Sequence, residues 1–319
     1  MDIVIVEDLV KRYGRLEAVK GVSFTVSEGE IFGFLGPNGA GKTTTINVLC
    51  TLLRPTAGTA TVNGYDVLKQ RSEVRRSIGL VFQDTTLDEY LTAEQNLYFH
   101  AYAYGIPRDT REQRMRELLT MVELWDRRAN KVRTYSGGMK RRLEIARGLL
   151  HHPRVLFLDE PTLGLDPQTR RRIWEYILDL RRRENLTIFL TTHYMDEAEN
   201  CDRIAIIDHG QIVASDTPDN LKDAVGGDLI SLKAEDNKAA ASELRARYGL
   251  SPDVQDGTVS FSVPRGEEFL PDFVRTFPVR LLSIGMHRPT LDDVFLKLTG
   301  QAIREQEADS FEQMRRWMR

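Results

Sequence analysis

Residues 30–44 read EIFGFLGPNGAGKTT, and this stretch decides the fold. Positions 30–35 are a short, mostly apolar run of the kind that forms a buried strand. The run leads into Gly36-Pro37-Asn38-Gly39-Ala40-Gly41-Lys42-Thr43-Thr44, which fits G-x-x-x-x-G-K-[ST] between a strand and a helix. The glycines let backbone N–H groups wrap phosphates without Cβ clashes. Lys42 places a point charge on the β- and γ-phosphates, and the Thr43 hydroxyl is a ligand for Mg²⁺. The pattern predicts a nucleotide-binding loop.

Outward from this loop, the first 65 residues read mainly as β structure, with Val22, Phe24 and Val26 alternating with Ser and Thr. TTTINVLCTLL (43–53) reads as a helix, GTATVNG (58–64) as a strand, and SIGLVFQD (77–84) as a strand ending at a polar residue. From about 87 to 153 the pattern turns helical, with capping boxes expected at Thr92/Gln95 and Thr110/Gln113 and a third helix opening at Ser136. Strands and helices then alternate: VLFLDE (155–160), a helix from Pro167, LTIFLTTH (186–193) and a helix at 195–200. RIAIIDHGQIVAS (203–215) reads as a hairpin turning at Asp208–Gly210. Such alternation implies a parallel sheet, here carrying a helical insertion.

A turn-rich boundary is expected near 216–228. Beyond it, strands at DLISLKAED, GTVSFSVP and VRLLSIGMH, with helices near 237–248, 267–276 and 290–298, suggest a small α+β domain. The expected fold class is therefore α/β: a P-loop NTPase core with an antiparallel β subdomain and a helical insertion, then a C-terminal α+β domain. The domain limits are 1–220 with the helical part at about 87–153, then 221–300, then a charged tail at 301–319.

A second anion-binding feature lies about a hundred residues after the loop. YSGGMKRRLEIARGLL (135–150) opens a helix with Ser136, Gly137 and Gly138, which present bare N–H groups to an anion. In VLFLDE four apolar residues bury a strand and deliver two carboxylates to its end. Asp159 is placed to hold Mg²⁺, and Glu160 to accept a proton from an attacking water. Gln83 ends another strand-like run, where it can touch Mg²⁺ or the water; His193 follows TIFLTT, where a donor to a γ-phosphate is useful. Polar groups at several strand ends point to one shared site, because ligands bind at the carboxyl ends of such sheets.

With GPNGAGKTT, Gln83, YSGGM, VLFLDE, GLD (164–166) and His193 in this order, the chain resembles the nucleotide-binding subunits of ABC transporters over about residues 2–220. The resemblance implies an ABC-type ATPase that binds ATP with Mg²⁺ and works as a homodimer, head to tail. Ser136–Gly138 of one copy then caps the ATP cradled by Gly36–Thr44 of the other. It also implies that Tyr13 stacks on adenine, against the plainer reading of a strand-end aromatic. Asp166 reads either as a helix cap ahead of Pro167 or as an interface residue. The signature departs from the commonest LSGGQ at Tyr135 and Met139. With the ending PTLDDVFLKLTG (289–300), it is similar to the drug-resistance branch typified by daunorubicin/doxorubicin exporters.

Composition limits the alternatives. A formal net charge of −3 gives no global basic field, so nucleic acid is not an expected partner. The clusters KRR (140–142) and RRR (170–172, 181–183) read as solvated helix faces. Cys50 and Cys201 lack metal-type spacing and read as reduced and buried. The start is not a signal peptide and no apolar run is long enough for a membrane span, so direct membrane insertion is not expected. The expectation is a cytoplasmic protein, peripheral on the membrane through a separate polytopic permease. A soluble ATPase acting on nucleic acid or ribosomes, and a nucleotide-dependent regulator, are the weaker readings.

Overall fold

The computed structural model describes residues 1–224, 226–255 and 257–299, and the tail at 301–319 lies outside the described residues. The chain divides into two compact units, with the division after Ser215.

The first unit opens with β1 (Asp2–Tyr13) and β2 (Leu16–Ser27), an antiparallel pair. β3 (Ile31–Leu35) passes through the glycine loop into α1 (Lys42–Leu49). β4 (Ala57–Val62) and β5 (Tyr65–Asp66) complete a sheet of order β2-β1-β4-β5. After α2 (Arg71–Ser77) and β6 (Ile78–Val81) come α3 (Ala93–Ala103), α4 (Arg108–Met121) and α5 (Gly137–Gly148). Then follow β7 (Val155–Asp159), α6 (Pro167–Glu184), β8 (Thr187–Thr192), α7 (Met195–Ala198), β9 (Arg203–Asp208) and β10 (Gln211–Asp216). These strands form a second sheet of order β10-β9-β3-β8-β7-β6, with β3, β6, β7, β8 and β9 parallel.

Every residue of β3, β7 and β8 is buried, as expected of parallel strands covered on both faces. Phe24 of β2 lies against Phe32 and Phe34 of β3 and Phe189 of β8, and Phe157 of β7 joins Phe189. These rings fill the space between the two sheets, so the antiparallel sheet forms the lid of the core that the parallel sheet needs.

Several local expectations change. The Thr92/Gln95 box caps α3, but Thr110/Gln113 caps nothing. α4 starts earlier, after Pro107, because proline is pre-set for a helix entry; Thr110 Oγ1 donates back to the Pro107 carbonyl instead. The helix read at 43–53 stops at Leu49, and Thr51 takes a positive φ of 62°. Strand β6 ends at Val81, two residues before Gln83. Among the basic clusters, Arg171, Arg172, Arg182 and Arg183 are exposed as expected, but Arg141 is buried. α3 leaves Tyr98, Phe99 and Tyr102 exposed beside a groove of about 1070 Å³ that it shares with α4 and Trp125.

The second unit contains α8 (Pro218–Ala224), in a stretch whose composition suggested turns only. It continues with β11 (Asp228–Ala234), α9 (Asn237–Tyr248), β12 (Asp253–Gln255), β13 (Thr258–Val263), α10 (Gly266–Thr276), β14 (Leu281–His287) and α11 (Leu291–Thr299). The antiparallel sheet runs β12-β13-β11-β14, and Ile230, Leu232, Val259, Phe261, Leu244 and Phe273 make its core. The three-residue β12 was not legible from periodicity. Among the described residues no helix is long and apolar enough to cross a membrane.

Candidate active site

The loop from Gly36 to Thr44 joins the end of β3 to α1. Its glycines are required by contact as well as by conformation. A Cβ on Gly36 would sit 2.2 Å from the Ile207 carbonyl oxygen. Gly41 caps α1 at φ 109°, and a Cβ there would meet the Ala18 carbonyl at 2.6 Å. Pro37 and Ala40 are buried, Asn38 and Gly39 form the exposed tip, and Thr44 is half-buried. Lys42 is buried and donates to the Gly36 carbonyl at 2.7 Å and the Pro37 carbonyl at 3.1 Å.

Three neighbouring strands bring their ends to this lysine. Lys42 Nζ lies 3.2 Å from Glu160 Oε1, just past β7. His193 Nδ1, just past β8, lies 3.2 Å from Glu160 Oε2. Asp159 Oδ1 accepts from Thr191 Oγ1 at 2.5 Å and from Thr43 Oγ1 at 3.2 Å. All four of Lys42, Asp159, Glu160 and His193 are buried.

Burial sets the two carboxyls apart. It pushes Asp159 above its ordinary value, and the hydroxyls of Thr191 and Thr43 only partly offset that. Burial would raise Glu160 as well, but the contact from His193 and the charge of Lys42 overcome it and hold Glu160 below its ordinary value. Consecutive residues thus differ in proton affinity because one faces hydroxyls and the other faces the Lys42 ammonium and the His193 ring.

Glu160 also has a positive φ of 45°, unusual for a side chain with a Cβ. Its N–H donates to Thr191 Oγ1 at 3.0 Å, which holds part of that turn.

The second helix start is also formed. Ser136 is the N-cap of α5, and its Oγ accepts from Met139 N at 3.3 Å. Asp166 caps α6, accepting from Thr169 N at 3.0 Å and Thr169 Oγ1 at 2.6 Å. These two helix starts are neighbours: a Cβ on Gly138 would fall 2.4 Å from Thr169 Cγ2, and one on Gly137 3.3 Å from Leu165. Tyr135, the departure from the common signature, is an anchor, since its buried ring ends in a hydroxyl donating to the Arg127 carbonyl at 2.7 Å.

Like Ser136, Gly137 and Asp166, the candidates Gln83 and Tyr13 stand outside the buried cluster. Gln83 is exposed on the loop after β6, and among the described residues no hydrogen bond joins its amide to Asp159. Tyr13 is 46% exposed at the end of the β1–β2 hairpin, in the other sheet, with Lys11 Nζ 5.1 Å above its ring.

Sequence reading missed Thr191, Glu197 and Arg141. Glu197 of α7 is buried and accepts from Thr162 Oγ1 and, at 2.7 Å, from Thr192 Oγ1, tying together the turns after β7 and β8. Thr191 is marked only by its place in β8, Glu197 and Arg141 only by which way α7 and α5 turn them, so periodicity gave no signal for them.

The family model described as ABC transporter matches residues 19–163. A daunorubicin resistance ATP-binding protein of Streptomyces coeruleorubidus is 42% identical, covering 95% of this chain and 96% of its own. A Nod factor export ATP-binding protein of Ralstonia nicotianae is 39% identical over 95% of each. Among solved structures, an ATP-binding subunit of an ABC transporter superposes with a TM-score of 0.63 at 32% identity, over 69% of this chain and 92% of that one. A dimeric post-hydrolysis ATP-binding cassette bound to ADP and Pi gives 0.61 at 30% identity, over 67% and 98%.

Proposed function

The chain belongs to the ABC transporter family as one of its ATP-binding subunits, and on that premise we propose that two copies close around ATP to power export through a separate membrane permease. Each ATP lies between Gly36–Thr44 of one copy and Ser136–Gly138 of the other. The N–H groups and dipole of α5 then meet the terminal phosphate. Asp166 stands at the same joint, and Tyr13 lies against adenine.

Glu160 is the base in this reading. Its depressed proton affinity keeps it ionised, and His193 fixes its orientation and donates toward the γ-phosphate. Thr43, Asp159 and Gln83 are the hard oxygen donors that suit Mg²⁺, which when bound neutralises phosphate charge. Thr43 and Asp159 already converge at 3.2 Å, which supports that set.

The exposed aromatics Tyr98, Phe99 and Tyr102 beside the α3–α4 groove suit the docking of an apolar segment of the permease. The subunit thereby sits on the cytoplasmic face of the membrane. Drugs or other amphipathic compounds are the transported class, by analogy with the daunorubicin resistance protein above. The segment from 221 to 300 is an accessory domain to the ATPase of 1–220.

The observation that carries this reading is the meeting of Lys42, Glu160 and His193 through contacts of 3.2 Å at adjoining strand ends. Glu160→Gln tests it. The variant should bind Mg-ATP, turn over about a hundredfold or more slowly, and accumulate as a dimer on a sizing column. Wild-type turnover would remove Glu160 as the base; a monomer at saturating nucleotide would remove the shared site.

A further inference from the structure

Arg141, read from sequence as part of a solvated basic face, is 6% exposed and lies on α5 five residues after its cap. Its guanidinium donates to consecutive backbone carbonyls of the turn that carries the carboxylates. Nη2 reaches Asp159 O at 3.1 Å and Glu160 O at 2.9 Å, and Nε reaches Pro161 O at 2.5 Å. Nη1 donates to Phe82 O at 2.5 Å, the residue before Gln83, and to Glu144 Oε2 at 3.2 Å. Glu144, 2% exposed, accepts Thr86 N at 2.8 Å through its other oxygen. The buried pair therefore grips the Gln83 loop on both sides and the Glu160 turn along its length.

Carbonyls in a loop have no ladder partner, and a left-handed residue holds only where its surroundings over-determine it. Thr191 fixes the N–H side of Glu160, and Arg141 fixes its carbonyl and those on either side. A planar fork does this and an ammonium does not, because the donors must point to several oxygens at fixed angles. α5 is also the helix whose first N–H groups form the second anion-binding start. One rigid side chain thus runs from that helix to the base and the Gln83 loop.

We propose that Arg141 is a positioning residue that locks the Glu160 turn and the Gln83 loop to α5, so that the seat offered to the other copy's ATP and this copy's own base move as one body. The inference rests on the reading of Glu160 and Ser136–Gly138 given above. It makes the two ATP sites of a dimer cooperative through this pair, because ordering α5 on one nucleotide sets Glu160 for the other.

The test is Arg141→Lys in the full chain, which keeps the charge beside Glu144 but loses the fork. Mg-ATP affinity should stay within about threefold while kcat falls at least about tenfold, as expected when a base is displaced rather than lost. The Hill coefficient for ATP should fall towards one. A stably folded Arg141→Lys with kcat and cooperativity near wild type overturns the proposal, and so does a parallel loss of ATP affinity and thermal stability with kcat unchanged. Should Arg141→Lys not fold, Arg141→Gln/Glu144→Gln removes both buried charges together and carries the same readouts. Glu160→Gln in the same series separates the two ideas. Its retained turnover would sink the reading of the base, whereas an inactive Glu160→Gln beside a normal Arg141→Lys would sink only the role of Arg141.

Discussion

Lys42 is held on its loop by two carbonyls and on the far side by Glu160, all within hydrogen-bond distance and away from solvent. A cation so placed has lost most of its hydration, so its interaction with phosphate is strong and its removal expensive. Lys42→Ala should weaken Mg-ATP binding by at least about thirtyfold, the consequence of roughly 2 kcal/mol for a truncated buried charge. Normal affinity in a titration would refute the cradle. At this scale most of the candidate site was readable, because Lys42 closes a glycine-loop pattern while Asp159, Glu160 and His193 follow strand-like apolar runs. Arg141 was not, because a buried arginine and a solvated one look alike in a helical pattern.

At the scale of elements, the starts of α5 and α6 are packed without room between them. Thr169 is pinned to Asp166 by two hydrogen bonds, so it cannot swing away from a methyl group on Gly138. Gly138→Ala should push the two helix starts apart, cost about 1–3 kcal/mol by thermal denaturation, and lower ATPase activity. ATP binding to the Lys42 loop should survive it.

A second element-scale prediction concerns the packing of α3 on the end of α5. His100 stacks beside Tyr104, which stacks on His151 at 3.9 Å. Burial first, then the charges of Arg147 and His151, lower His100 to about 4. The unfolded chain protonates His100 near its ordinary value while the folded chain does not, so stability is intact above that value and is lost as pH falls towards about 4. The loss should reach about 2 kcal/mol by about pH 5. In His100→Phe, the melting temperature should fall less steeply over that range; an unchanged slope would show that other groups carry the acid sensitivity.

For the whole molecule, the two units have separate hydrophobic cores, one around the phenylalanines between the sheets and one around Phe261 and Phe273. Units with their own cores fold independently as a rule. A chain ending at Ser215 should therefore bind Mg-ATP within about threefold of the full protein, while the dimer lifetime of its Glu160→Gln form shortens. Failure of the shortened chain to bind ATP would show that the first unit depends on the second.

The sequence by itself determined most of the order of strands and helices, the phosphate loop, the second helix start and the paired carboxylates. Each rests on local chemistry: glycine freedom, apolar runs, and caps within a few residues of what they cap. Helix entry at Pro107, the early end of α1 and the short β12 escaped it, because neighbouring residues offered competing signals of equal strength. Only the tertiary structure decided which strand ends lie side by side, that Glu160 faces Lys42 and His193 while Asp159 faces threonines, and that Arg141 turns inward. Those outcomes depend on sheet order and on the burial of groups far apart along the chain. Charge and hydrogen bonding act across space, and periodicity along a chain does not record which distant partner a side chain will meet.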